Sequence, residues 1–193
     1  RYDSYRSEIQ SRNGATGVRG TKFENDESFF NYQLGVVYKL KPNASIYASY
    51  ATSSSPVGLA MGDFNYSGGA IDASTQNLSP ERTKSFEIGT KWNVLEDLAL
   101  TAAVFHIKKN NARVQIAGGW ANQGEVESQG LELGAAGKLT DKWKVFAGYT
   151  YIDAEQTKAG NLSDNNVPGS PESKGKQLYG ISKHSASLWT TYK

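Results

Sequence analysis

Between Lys84 and Trp92 the even positions Phe86, Ile88 and Trp92 are apolar, whereas the odd positions Ser85, Glu87, Gly89 and Lys91 are polar or small. A period of two sends the two classes to opposite faces, which predicts a β-strand. Residues 94–97 separate it from a second alternating run at 98–107, where Leu98, Leu100, Ala102 and Val104 share the apolar side; together they predict an antiparallel hairpin. The arrangement recurs upstream. Residues 29–40 place Phe30, Tyr32, Leu34, Val36, Tyr38 and Leu40 on one face, Lys41, Pro42 and Asn43 form a turn, and 44–53 carry Ile46, Ala48 and Tyr50 on the apolar side. Proline presets such a reversal and has no amide hydrogen to leave unpaired. Downstream, Leu131, Leu133, Ala135 and Leu139 alternate with Glu132, Gly134, Ala136 and Lys138, and the turn is Thr140 and Asp141. Residues 142–154 put Trp143, Val145, Ala147, Tyr149 and Tyr151 on one side, although Phe146 and Ile152 interrupt the polar side, and 184–193 close the series with Ala186, Leu188, Thr190 and Tyr192 in phase. Residues 1–10 predict a weaker, polar strand, for about eight strands in all.

Short connections alternate with long ones. Residues 11–27, 54–82, 109–123 and 155–183 are polar and rich in Gly, Ser and Asn, and are predicted as loops. With every short turn on one side, Tyr38, Trp92 and Trp143 fall beside the turns on the apolar face. Phe30, Tyr50, Phe86, Tyr149 and Tyr151 lie toward the long loops. Aromatic rings favour the headgroup level of a bilayer, so these residues predict two interfacial girdles around an apolar band. The opposite face is small and polar, which suits a wide lumen better than a dry core. A soluble sandwich would bury its greasy face under a second sheet. The expected fold is therefore all-β, an antiparallel transmembrane β-barrel segment of the outer membrane with short periplasmic turns and long extracellular loops.

Composition narrows this further. The 193 residues carry a net charge of +2 and no Cys, which is too near balance to imply a nucleic-acid partner. No run approaches the ~18 apolar residues of a membrane helix. The chain starts at Arg1 without a Met and stops just after an alternating run, which predicts a piece of a longer protein. His106 and His184 are the only histidines, and neither stands in a cluster with metal-ligand spacing, so no metal site is expected. Asp164, Asn165 and Asn166 lack the glycine and distal glutamate of a calcium loop. There is no nucleophile elbow, phosphate loop or spaced acid pair, so no catalytic residue is assigned and an enzyme is not expected.

The run Leu78, Pro80, Glu81, then Phe86, Glu87, Gly89, Lys91 resembles the "L-x-P-E … E-x-G-x-K" signature of TonB-dependent siderophore receptors. The run from Gln129 to Leu133 is similar to their "x-G-x-E-L" strand, and Gly148, Tyr149, Thr150 and Tyr151 to the "G-Y-T-Y" that follows it. Val37, Tyr38 and Lys39 with the run from Ser45 to Tyr50 resemble the preceding hairpin, and the run from Leu188 to Tyr192 the following strand. The likeness covers residues 29–193 and is greatest to catecholate receptors. It implies a 22-stranded barrel plugged by an N-terminal domain, of which residues 1–193 would be a slice of the C-terminal half, lacking the plug and the closing strands. It also implies a ferric siderophore as cargo, with iron entering only as part of that cargo and no other cofactor. Energy would come from TonB-ExbB-ExbD acting through the missing plug, and the surroundings would be outer-membrane lipid and lipopolysaccharide. A bulky, aromatic, anionic cargo calls for aromatic faces and cations near the outer mouth, which singles out Phe64, Tyr66, Arg113, Trp120 and Tyr179. Arg113 could equally bind lipopolysaccharide phosphate, and Glu87 and Glu132 are expected on the lumenal side, paired with Lys91, Lys138 or plug arginines. The competing expectation is a complete eight-stranded barrel that anchors or adheres. A small barrel fills its interior with side chains, whereas this inward face is rich in Ser, Gly and Thr.

Overall fold

The alternating segments form strands, and strands only. A computed structural model describes residues 1–56, 78–116, 119–159 and 174–193. In chain order these hold β1 (Tyr2–Arg12), β2 (Arg19–Phe30), β3 (Gln33–Lys41), β4 (Ala44–Ser55), β5 (Glu81–Leu95), β6 (Leu98–Ile116), β7 (Gly119–Thr140), β8 (Trp143–Lys158) and β9 (His184–Tyr192). β1 and β2 pair as a two-stranded sheet, and β3 to β9 form a seven-stranded sheet in strict sequence order, antiparallel throughout. Among the described residues β3 and β9 do not pair with each other, so the sheet is open rather than a closed small barrel.

The register fixes the tilt of the strands. Ala44, which opens β4, is the partner of Trp92, and the next turn begins three residues further on, at Leu95. Leu98 is the partner of Gly137, and the third turn again follows three residues later, after Thr140. Each hairpin therefore drops its turn by about 10 Å while moving about 10 Å sideways, which is a tilt of about 45°. The turns stay level only if the hydrogen-bonded rows run diagonally across the wall.

Burial is inverted relative to a soluble sheet. On β5 Phe86, Ile88 and Trp92 are exposed, whereas Ser85, Glu87 and Gly89 opposite them are partly covered. Leu34, Val36 and Tyr38 are about two-thirds exposed. A continuous uncovered apolar face of this size needs an apolar medium. On that face the first charged residues above the turns are Lys84 on β5, Lys108 on β6 and Asp153 on β8, which stand 11, 10 and 10 residues from Leu95, Leu98 and Trp143. About ten tilted residues is the length that spans a bilayer. The dry core lies beyond this band, where Val114 and Ala154 are fully buried and Leu78 and Ala112 nearly so.

Three sequence expectations change. Residues 109–123 are not a loop: β6 continues to Ile116 and β7 starts at Gly119, so the hairpin projects far past the apolar band. Residues 19–27 belong to β2, which adds a ninth strand. The run 29–40 is interrupted at Asn31 and Tyr32, where Tyr32 N donates to Thr52 Oγ1 at 3.0 Å and Thr52 N to Tyr32 O at 2.9 Å. The interruption leaves the period intact, which is why the pattern does not reveal it.

Candidate functional site

On the inner face, two glycines make room for two aromatic rings. Tyr47 faces Gly89 across the β4–β5 ladder, and a Cβ on Gly89 would stand 2.6 Å from the Tyr47 ring and 2.8 Å from the Ala102 carbonyl oxygen. The ring lies across the glycine, and its hydroxyl donates to Glu87 Oε1 at 2.6 Å. Lys91 Nζ stands 5.9 Å from the centre of the same ring, within cation–π range. One step along, Phe105 lies over Gly130, its Cα partner. A side chain at Gly130 would also overlap the Tyr151 carbonyl oxygen. The "E-x-G" and "G-x-E" pairs thus have a steric reason: the glycine seats a ring beside the carboxylate. Counted from their own turns, Glu87 lies eight residues above Leu95 and Glu132 eight above Thr140. With the diagonal rows this sets both carboxylates at one depth of the wall, two strands apart. Lys138 is not their partner; its Nζ holds Asp97 at 2.6 Å.

Above the apolar band, β5 to β8 are tied by buried charges. Glu81, 8% exposed, accepts from Lys109 Nζ at 3.0 Å and from Arg113 Nε and backbone N at 3.0 and 3.1 Å. Burial works to raise the pKa of this carboxyl, but the hydrogen bonds from Lys109 and the Arg113 amide, with the two positive charges, bring it below the usual range. Glu125, equally buried, accepts from Lys108 Nζ at 2.8 Å, Lys158 Nζ at 3.2 Å and Thr157 Oγ1 at 3.0 Å. The Lys108 hydrogen bond is the main cause that holds its pKa at about 2. Asn122 joins the start of β5 to the hairpin: its Nδ2 donates to Ser79 O at 3.0 Å and to Asn111 O at 2.8 Å, and its Oδ1 accepts from Ser79 N. Asn111 has a φ of 56°, the left-handed region Asn tolerates, at a register shift between Asn110 and Ala112.

These contacts place the expected ligand residues. Arg113 is on β6 with its Nε engaged by Glu81, and Trp120 is near the tip of the same hairpin, where Gln115 is its Cα partner. Tyr179 is fully exposed on the separate segment 174–183, which runs beside the upper edge of β8 through bonds such as Leu178 N to Ala154 O at 2.9 Å. Phe64 and Tyr66, like Asp164 to Asn166, lie outside the described residues. Of the expected girdle, Tyr38, Trp92 and Trp143 are exposed beside the turns, and Trp143 Nε1 donates to Thr190 Oγ1 at 2.7 Å. Phe30 sits on β2 rather than in the seven-stranded sheet, yet stacks on Tyr32 at 6.0 Å, which meets Tyr50 at 5.9 Å. Tyr149 and Tyr151 both approach His184, and Tyr149 Oη lies 2.9 Å from its Nδ1. Sequence reasoning missed Tyr47, Phe105 and Asn122. For the first two the signal was present, an aromatic placed opposite a glycine by the hairpin register.

The whole chain, residues 1–193, matches the family described as TonB dependent receptor-like, beta-barrel. It is 42% identical over 201 residues to the "Probable TonB-dependent siderophore receptor PiuA" of Acinetobacter baumannii, covering 100% of this chain and 26% of that protein. It is 29% identical over 170 residues to the "Catecholate siderophore receptor Fiu" of Escherichia coli K12, covering 86% and 21%. Superposed on the crystal structure of the A. baumannii siderophore receptor PiuA, it gives a TM-score of 0.82 at 41% identity, over 99% of this chain and 27% of that one. The closed form of the ferric-catecholate import receptor Fiu gives 0.72 at 26% identity, over 99% and 28%. The chain thus spans about a quarter of the length of these relatives. An open, tilted sheet with its greasy face outward is what a quarter of a large barrel must look like, and the chain belongs to the TonB-dependent receptor-like β-barrels of the Gram-negative outer membrane.

Proposed function

We propose that these residues are a wall segment of a receptor that takes ferric siderophores, of catecholate type, across the outer membrane with energy from TonB-ExbB-ExbD. The observation that carries it is the two-sided wall: a ten-residue apolar face outside, and inside a polar face bearing Glu87, Lys91 and Glu132. A lumen lined this way admits a large charged cargo and a hydrated plug, which a side-chain-filled small barrel does not. The names of PiuA and Fiu supply the cargo class. Cargo would be met at the outer mouth by Trp120, Tyr179, Phe64 and Tyr66, with Arg113 as a cation braced by Glu81. Glu87 and Glu132 would face plug arginines, Tyr38, Trp92, Trp143, Phe30, Tyr50, Tyr149 and Tyr151 would sit at the two lipid interfaces, and iron would enter only within the siderophore.

Growth of an iron-starved strain on a ferric catechol complex as sole iron source, with the intact gene against its deletion, tests the cargo. The deletion is expected to abolish growth on that complex and leave growth on ferrous iron unchanged. Undiminished uptake in the deletion would remove the cargo assignment.

A further inference from the structure

We propose that Arg82 and Lys84, on the outer face of β5, hold the phosphate of a membrane-lipid headgroup in the outer leaflet. The site rests on the membrane-wall reading above and adds to it a particular lipid contact. From the turn upward the outward residues of β5 are Trp92, Thr90, Ile88, Phe86, Lys84 and Arg82, so the apolar series gives way to two successive cations. Lys84 stands 11 residues above Leu95, which at the observed tilt is a depth of about 26 Å, close to the ~25 Å height of an outer-membrane apolar band. Both side chains are therefore at headgroup level, with Phe86 and its partner Tyr50 just below them toward the acyl chains.

Their neighbours on the sheet offer no counter-charge. Lys84 has Thr52 on one side and Lys108 on the other, and Arg82 has Ser54 and Asn110. Like charges directly opposite each other are unfavourable in a ladder. Lys108 is compensated, by Glu125 at 2.8 Å and Glu127 at 2.7 Å. Two other cations near this rim are matched as well: Lys158 with Glu125 at 3.2 Å, and Lys183 with Asp153 at 3.0 Å. Arg82 and Lys84 make no ion pair or side-chain hydrogen bond among the described residues, and both are exposed. Two residues apart on one face, they are separated by about 7 Å, a gap one phosphate bridges, with the guanidinium fork taking two oxygens and the ammonium a third. The polar occupant at this depth, above apolar rings, is the phosphate of a lipid whose acyl chains cover Phe86 and Ile88.

The test uses the intact receptor, purified from outer membranes, and measures lipopolysaccharide retained per receptor through a detergent wash. Arg82→Gln with Lys84→Gln is expected to lower retention by roughly ten- to thirtyfold, two cations' worth of surface attraction. Lipopolysaccharide stripped of its lipid phosphates should bind the native receptor equally poorly, and Lys142→Gln with Lys193→Gln at the opposite rim should change nothing. Equal retention by the double variant would overturn the site, as would inorganic phosphate that binds the native protein as tightly as the lipid does. A nitroxide on Ile88→Cys keeps the two readings apart. Accessibility to oxygen but not to an aqueous nickel reagent shows that the wall faces lipid even where lipid retention fails, whereas aqueous accessibility would remove the wall reading itself.

Discussion

Below Lys84 and Lys108 the strands β5 to β8 keep a period of two, broken on the inner side at Phe105, Phe146 and Ile152, and leave Ile88 and Val104 uncovered; above them the same strands bury Val114 and Ala154 and fill with ion pairs. One backbone ladder thus runs through two solvents. In lipid, side-chain placement is dictated face by face, because a charge on the outer side is expelled. In water the hairpin has no such instruction, and it is held by Glu81, Glu125 and Asn122 reaching across strands. The lower region is specified by pattern, and the upper one by a few pairings.

The largest effect expected is Gly130→Ala in the wall, where the new methyl would overlap the Tyr151 carbonyl oxygen and press on Phe105. A cost of about 3 kcal/mol or failed assembly follows. Gly35→Ala, whose nearest neighbour would be 3.8 Å away, should assemble normally; heat-modifiable migration on gels reads both. Next, Val104→Arg at mid-band should cost about 2–4 kcal/mol, whereas Gln123→Arg on the projecting hairpin, also exposed, should stay within about 0.5 kcal/mol. Urea unfolding in liposomes compares them, and equal costs would erase the distinction between the regions. Glu81→Gln should cost about 1–3 kcal/mol, but locally: proteolysis and amide exchange speed up at β6–β7 above Lys109 while the wall is unchanged.

The smallest effect is one of pH. The Glu125 carboxyl has a folded pKa of about 2 against an ordinary value of 4.5. The group therefore stabilises the fold fully above pH ~4.5, and that contribution fades as pH falls toward about 2. Amide exchange on the hairpin should accelerate across that window in the native protein, and Glu125→Gln should flatten the profile.

Legibility in the sequence follows the same division. Residues 84–107 and 130–154 announce their strands because lipid demands alternation. Residues 109–123 look like a loop because a strand clear of the lipid can carry Lys109, Asn110, Asn111 and Arg113 within five residues, the charges being met by Glu81 on the neighbouring strand. Residues 19–28 hide β2 for the same reason: Lys22 and Glu24 answer Glu8 and Arg6 across the ladder rather than an apolar neighbour. For the site, the motif residues Glu87 and Glu132 were found, but not the rings that brace the inner face. Their role depends on which residue a glycine faces, and that emerges only once the register is fixed.

The three-residue descent of each turn makes the inner surface a screw thread. Side chains that are nearest neighbours across strands, such as Tyr47, Gly89, Ala103, Glu132 and Thr150, differ in height by about 3.4 Å per strand. A solute moving straight down the pore therefore leaves one ladder row for the next as it goes, and it meets residues in an order that follows neither the chain nor the strand pairing. Two groups that act on it together must be one row out of step for every two strands between them, as Glu87 and Glu132 are.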